Sequence, residues 1–217
     1  MSGRNTSTDE VELVTDPILK AQREAENGVR QTQLALEIIR ANVKDSERPF
    51  RLRQGIILEL HAKALEGIHR LAGTYRNGPA AITDSKHEPP PHIRVADEVA
   101  DMCDYVNEHW NDKSALHLAA YILWKLNWIH PFADGNGRTS RAISYVVLSV
   151  RLDSLLPGST TIPDMIASDK SPYYDALELA DEAWKRHQEV DVTALEKMLS
   201  AMLASQLLQG LKEAEAN

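Results

Sequence analysis

Apolar residues recur every three or four positions along most of the chain, the period of helices with one buried face. The first such stretch, "DPILKAQREAENGVRQTQLALEIIR", opens with Asp16 as an N-cap and Pro17 at the first helical position. Ala21, Ala25, Gly28, Val29, Thr32, Leu36 and Ile39 form a narrow stripe of mainly small residues, which predicts close docking against whatever the helix covers. In "FRLRQGIILELHAKALEGIHRLAG", Leu52, Ile56, Leu60, Ala64, Ile68 and Leu71 keep the helical period, and Gly73 supplies a C-terminal stop. Helices follow at roughly 96–110, 114–128 and 136–152. A short turn or helix in "TIPDMIAS" comes next, then a helix begun by Ser171-Pro172. The last begins at Asp191, with Leu195, Met198, Leu199 and Met202 on one face.

One segment breaks the pattern. "TYRNGPAAITDSKHEPPPHIRV" carries prolines at 89–91, which exclude a helix interior. "PAAIT", a polar turn and an extended proline-rich return predict a small β-hairpin flap, with a plain surface loop as the alternative. The expected architecture is one all-α domain with a small β excursion. It divides into a loose N-terminus over 1–15 and a domain over 16–217, the latter with an N-terminal helix at 16–41 and a core at 50–205.

Composition adds mainly exclusions. A length of 217 residues suits one domain with a substantial core. No apolar run reaches the ~18 residues of a membrane span, and "MSGRNTSTDE" lacks the apolar stretch of a signal peptide. The single cysteine, Cys103, shares a helical face with Val99, Met102 and Val106, so a buried structural thiol and a reducing, cytoplasmic compartment are expected. A net charge of −8 argues against general nucleic-acid binding. The histidines at 61, 69, 87, 92, 109, 117 and 187 show no paired metal-ligand spacing.

The chemistry concentrates in "HPFADGNGRTSR", residues 130–141, between two apolar helices. Pro131 helps end the first, and Gly135 and Gly137 let the backbone turn. The second begins near Asn136, where amides without intrahelical acceptors and the helix dipole favour an anion. Arg138 and Arg141, at i and i+3, present two guanidinium forks to adjacent phosphates. Asp134 is placed to hold Mg²⁺ together with phosphate oxygens, and His130 to accept a proton from an incoming hydroxyl. Together these describe phosphoryl or nucleotidyl transfer. Taken singly, Asp-Gly and Asn-Gly are more often turns, and an arginine is more often a solvated surface charge. The interhelical loop is longer than that of a DNA-reading helix-turn-helix.

The stretch resembles the signature of Fic-domain proteins, H-P-F-x-(D/E)-G-N-G-R-x-x-R, at every fixed position, and the likeness extends from about residue 50 to 205. The resemblance implies a Fic fold with a flap over the active site. It also implies transfer of AMP from ATP to a Ser, Thr or Tyr hydroxyl of a target protein. Under it, His130 is the general base, Asp134 the Mg²⁺ ligand, and Gly135, Asn136 and Gly137 the anion hole. Arg138 clamps phosphates, Arg141 positions the γ-phosphate, and Phe132 anchors the loop in the core. Gly135 and Arg141 are standard where phosphate-transferring variants depart, which favours AMP. UMP or other nucleotides, AMP removal, and a binding module with negligible turnover remain alternatives, and a homodimer is compatible with the sequence. Many relatives carry an inhibitory helix with the pattern (S/T)-x-x-x-E-(G/N). Glu26-Asn27 matches its end, with Gln22 in place of Ser/Thr. The resemblance therefore implies that Glu26 pairs with Arg141 and restrains the γ-phosphate, whereas the plainer reading pairs Glu26 with Arg30 on the helix surface.

Overall fold

The computed structural model describes residues 12–43, 49–82, 85 and 87–216. Among these, the chain forms α1 (Pro17–Asn42), α2 (Gln54–Leu65), α3 (Val95–Glu108), α4 (Ala115–Ile129), α5 (Asn136–Arg151), α6 (Ile162–Ser168), α7 (Ser171–His187) and α8 (Thr193–Glu215). No helix among them is long and apolar enough to cross a membrane.

The central pair is α4 and α5. From Leu118 to Asn127, α4 is buried on all sides, as a helix apolar all round must be. Ile143, Val146 and Val147 of α5 share that core. Around the pair lie α1 and α2 on one side, and α3, α7 and α8 on others. Lys125 of α4 is buried yet compensated: its Nζ lies 2.9 Å from Glu98 Oε2 and 3.9 Å from the Trp128 ring centroid.

Local signals act as expected at several ends. Asp16 Oδ1 accepts from Ile18 N and Leu19 N at 2.9 and 2.8 Å. Ser114 Oγ accepts from His117 N at 3.0 Å at the start of α4. Cys103 is buried, and burial pushes its thiol up to about 12.

Three expectations need correction. The buried face of α1 is Asn27, Gln31, Ala35 and Ile39, while Ala21, Ala25, Val29 and Thr32 are exposed. The cause is polar: Asn27 Nδ2 donates to Glu66 O at 2.8 Å and Gln31 Nε2 to Leu60 O at 3.1 Å, so carbonyls of α2 and the turn after it draw two amides inward. Second, α2 stops at Leu65, where Gly67 (φ 68°) turns the chain, and Gly73 (φ 76°) lies in the turns beyond. Ile68 stays buried without being helical. Third, residues 12–14 are fastened: Glu12 bridges to His69, Leu13 N donates to Ile68 O at 2.8 Å, and Val14 is buried. Residues 1–11 of the expected loose terminus lie outside the described residues.

The hairpin turn falls partly outside them as well, at 83, 84 and 86. Its described flanks form no strand, and Ile82 is buried. Among the described residues the isolated Glu12–His69 bridge is the only β pairing.

Candidate active site

The α4–α5 connection is built around two backbone positions with positive φ. His130 caps α4 in the left-handed region (φ 49°, ψ 58°), and its N–H donates to Leu126 O at 3.0 Å. A non-glycine residue there costs roughly 1–2 kcal/mol and persists only when its surroundings impose it. Gly135 caps the start of α5 at φ 78°. A Cβ there would lie 3.2 Å from Leu65 Cδ1 and 3.3 Å from His61 Cδ2, so both conformation and space require glycine.

Between them the loop is pinned. Phe132 is wholly buried, and truncating such a ring typically costs about 3–5 kcal/mol. Asn136 closes the turn by substituting for backbone: its Oδ1 accepts from Phe132 N at 2.9 Å and its Nδ2 donates to Phe132 O at 2.8 Å. The Asn136 side chain thus shapes the loop.

His130 is 2% exposed. A guanidinium holds its backbone: Arg76 donates from Nε to His130 O at 2.8 Å, from Nη1 to Gly78 O at 2.9 Å and from Nη2 to Pro90 O at 2.5 Å. Arg76 N also donates to Pro131 O at 2.9 Å. Burial lowers the pKa of this arginine, yet carbonyl oxygens surround the charge. One side chain therefore fastens both ends of the 78–90 segment to the histidine.

At the α5 N-terminus there is neither a side-chain cap nor an acidic residue in the first turn. Asp134 Oδ2 accepts from Arg138 Nη2 at 2.9 Å, and Asp134 Oδ1 accepts from Gly135 N at 2.5 Å. Burial opposes ionisation of Asp134, but the Arg138 cation and the Gly135 N–H outweigh it and hold the carboxyl below its usual range. Arg141 lies over the loop, with Nη1 3.2 Å from where a Gly137 Cβ would be. Burial lowers its pKa, and among the described residues it has no hydrogen bond or ion pair. Tyr173 is core: its hydroxyl accepts from Asn127 Nδ2 at 2.7 Å.

Glu26 stands elsewhere than expected. Its exposed carboxylate accepts from Gln22 Nε2 at 3.1 Å, and Arg30 pairs with Glu66 instead. The α1 carboxylate that meets the motif is Glu24, 3.3 Å from Arg138 Nη1. The rotation of α1 explains this. Asn27 and Gln31 face α2, and Glu24 shares their side at i and i+3, whereas two residues on, about 200° around the helix, Glu26 points away.

Sequence reasoning missed three residues here: Glu24, Arg76 and His61. The His61 ring stacks on Phe132 at 3.6 Å and 7°, and burial pushes its pKa down to about 4. No motif marks any of the three, because each acts through backbone or motif groups distant in sequence.

Comparison with known proteins agrees with the fold. A profile of the Fic/DOC family matches residues 51–148. Over 129 residues the chain is 33% identical to the protein adenylyltransferase Fic of Drosophila persimilis, which is 58% of this chain and 23% of that protein. The chain thus spans less than a quarter of that relative's length. A Fic domain containing signaling protein from Bacteroides thetaiotaomicron shares the fold with a TM-score of 0.71 at 23% identity, over 88% of this chain and 73% of that one. So does the BepC protein of Bartonella tribocorum, solved with bound AMPPNP, at a TM-score of 0.58 and 14% identity over 91% and 92% of the two chains. With the signature intact from His130 to Arg141 and the helices around it in this arrangement, the chain carries a Fic/DOC-family domain over residues 51–148.

Proposed function

We propose that the protein is an adenylyltransferase that moves AMP from ATP onto a Ser, Thr or Tyr hydroxyl of a target protein and releases pyrophosphate. The observation that carries this reading is the start of α5, which has no side-chain cap. His130, Asp134, Arg138 and Arg141 gather at a helix end whose first turn holds no acid of its own. The adenylyltransferase name of the Drosophila relative and the AMPPNP bound to BepC support it.

The residues divide the work. The His130 imidazole takes the proton of the target hydroxyl as that oxygen bonds to the α-phosphorus. The bond from the α-phosphorus to pyrophosphate breaks, and its electron pair leaves with pyrophosphate. Arg138 and Arg141 offset the phosphate charge, and amide N–H groups at the start of α5 donate to the anion. Asp134 fits Mg²⁺, which takes one or two carboxylates beside phosphate oxygens and would neutralise their charge when bound; no cluster of three ligating side chains occurs among the described residues. Helix α1 restrains the site through a carboxylate, Glu24, on the first motif arginine. Glu26 restrains it only if α1 turns to bring that residue to Arg141.

The test separates the labels. With Mg²⁺ and cell lysate, label from the α-phosphate of ATP should stay on protein and label from the γ-phosphate should not. His130→Ala should lower transfer by about 10²–10⁴-fold and leave ATP binding intact. Retained γ-label, or a fully active His130→Ala, would refute the reading.

A further inference from the structure

The carbonyl of Asp134 and the N–H of Gly135 belong to one trans peptide, so fixing the direction of one fixes the other. His61 of α2 fixes the carbonyl, with Nε2 3.0 Å from Asp134 O. Its other nitrogen, Nδ1, accepts from Gly73 N at 2.9 Å. An acceptor Nδ1 leaves Nε2 as the protonated nitrogen, so the ring is one neutral tautomer with both nitrogens engaged. It cannot swing away. It is 1% exposed, lies flat on Phe132, and fills the space a Gly135 side chain would need. The Gly135 N–H is thereby turned to the side of the Asp134 carboxylate and Arg138, where the two already meet.

We infer that His61 is a positioning residue: by holding the Asp134–Gly135 peptide it sets the Asp134 carboxylate, which the Gly135 N–H and Arg138 already meet, where Mg²⁺ and the phosphates of a bound nucleotide would engage it. The inference rests on the nucleotide-transfer reading above and adds a residue outside the signature to its anion cradle. His61 touches neither phosphate nor base. Its effect is confined to ligands that carry phosphates, because it holds a peptide plane and no part of the nucleoside.

Titration of ATP and of adenosine, each with Mg²⁺, into four proteins tests this. His61→Phe keeps an aromatic ring against Phe132 and removes both hydrogen bonds. His61→Gln places an amide N–H where Nε2 was, and His61→Asn keeps only a group near Nδ1. Against wild type, His61→Phe and His61→Asn should bind ATP about tenfold more weakly, the order of one lost hydrogen-bond-class interaction. His61→Gln should recover most of the loss, and all four proteins should bind adenosine alike. If His61→Phe does not fold, the Gln and Asn variants decide between them. Equal losses for both ligands, or no loss for ATP, would overturn the inference and leave the transfer reading standing. A wild type that binds ATP no better than adenosine would overturn the transfer reading itself, and this inference with it.

Discussion

Replacing Glu24 with glutamine should tighten ATP binding. Arg138 sits between two carboxylates, 2.9 Å from Asp134 and 3.3 Å from Glu24. On the proposed function, a nucleotide phosphate would compete with Glu24 for the same guanidinium. The pair is partly open to solvent, with side chains 25% and 38% exposed, so it falls in the class of ion pairs that contribute about 0.2–1 kcal/mol. Released to the ligand, that range corresponds to an affinity gain of roughly 1.5- to 5-fold. Glutamine preserves the shape of the side chain and the helix propensity, so the change isolates charge. Calorimetric titration of Mg²⁺·ATP into wild type, Glu24→Gln and Glu26→Gln is the assay. The gain should shrink as salt rises from about 0.05 to 0.5 M, because a partly exposed pair is screened. Glu26, on the opposite side of α1, should have little effect. A Glu24→Gln protein that binds ATP no tighter than wild type would refute this account of restraint. A larger gain from Glu26→Gln would show that α1 turns before the site engages.

Two further outcomes follow from the site. The Asp134 carboxyl titrates below its ordinary range in the folded protein, so its contribution to stability is complete above the unfolded value of about 3.9 and disappears as pH falls through the folded value. Acid unfolding curves of wild type and Asp134→Asn should therefore converge at low pH, move apart as pH rises toward about 4 and stay fully apart above it, and curves that stay parallel throughout would remove the Asp134–Arg138 pair as the cause. Arg76→Met should lower stability by on the order of 2–4 kcal/mol, since it strips donors from buried carbonyls, and urea midpoints would measure it; a change within 0.5 kcal/mol of zero, the range of ordinary surface substitutions, would mean water replaces the guanidinium at little cost.

Helix order and the loop between α4 and α5 were legible because their signals are local. Asp16 and Ser114 mark helix starts by the hydrogen bonds their side chains accept, and Pro17 and Pro172 by the φ that proline fixes in the first turn; Ser171 is itself helical, with Lys170 at the cap position and no side-chain cap. The 130–141 stretch is legible because base, carboxylate, glycines and arginines are consecutive. What escaped was tertiary. Asn27 and Gln31 look like surface residues until α2 offers them carbonyls, and those two bonds set which carboxylate of α1 reaches Arg138. Ile68 keeps the helical period because the turn after α2 presents it to the core without helical backbone. His61 and Arg76 act on backbone groups of the motif, 73 and 54 positions away in the case of Asp134 O and His130 O. Such contacts leave no periodicity to read.

The anchoring of residues 78–90 by Arg76 also bears on how such a protein can diversify. Both ends of the segment are tied to the histidine-bearing loop by the same guanidinium, so the stem is closed whatever lies between. Lengthening a loop whose ends are already held together costs little, about 0.6 kcal/mol for a doubling. Insertions and substitutions between Gly78 and Pro90 can then accumulate while the geometry of His130 is inherited unchanged. The segment and the signature loop become separately mutable, hinged on a residue that belongs to neither.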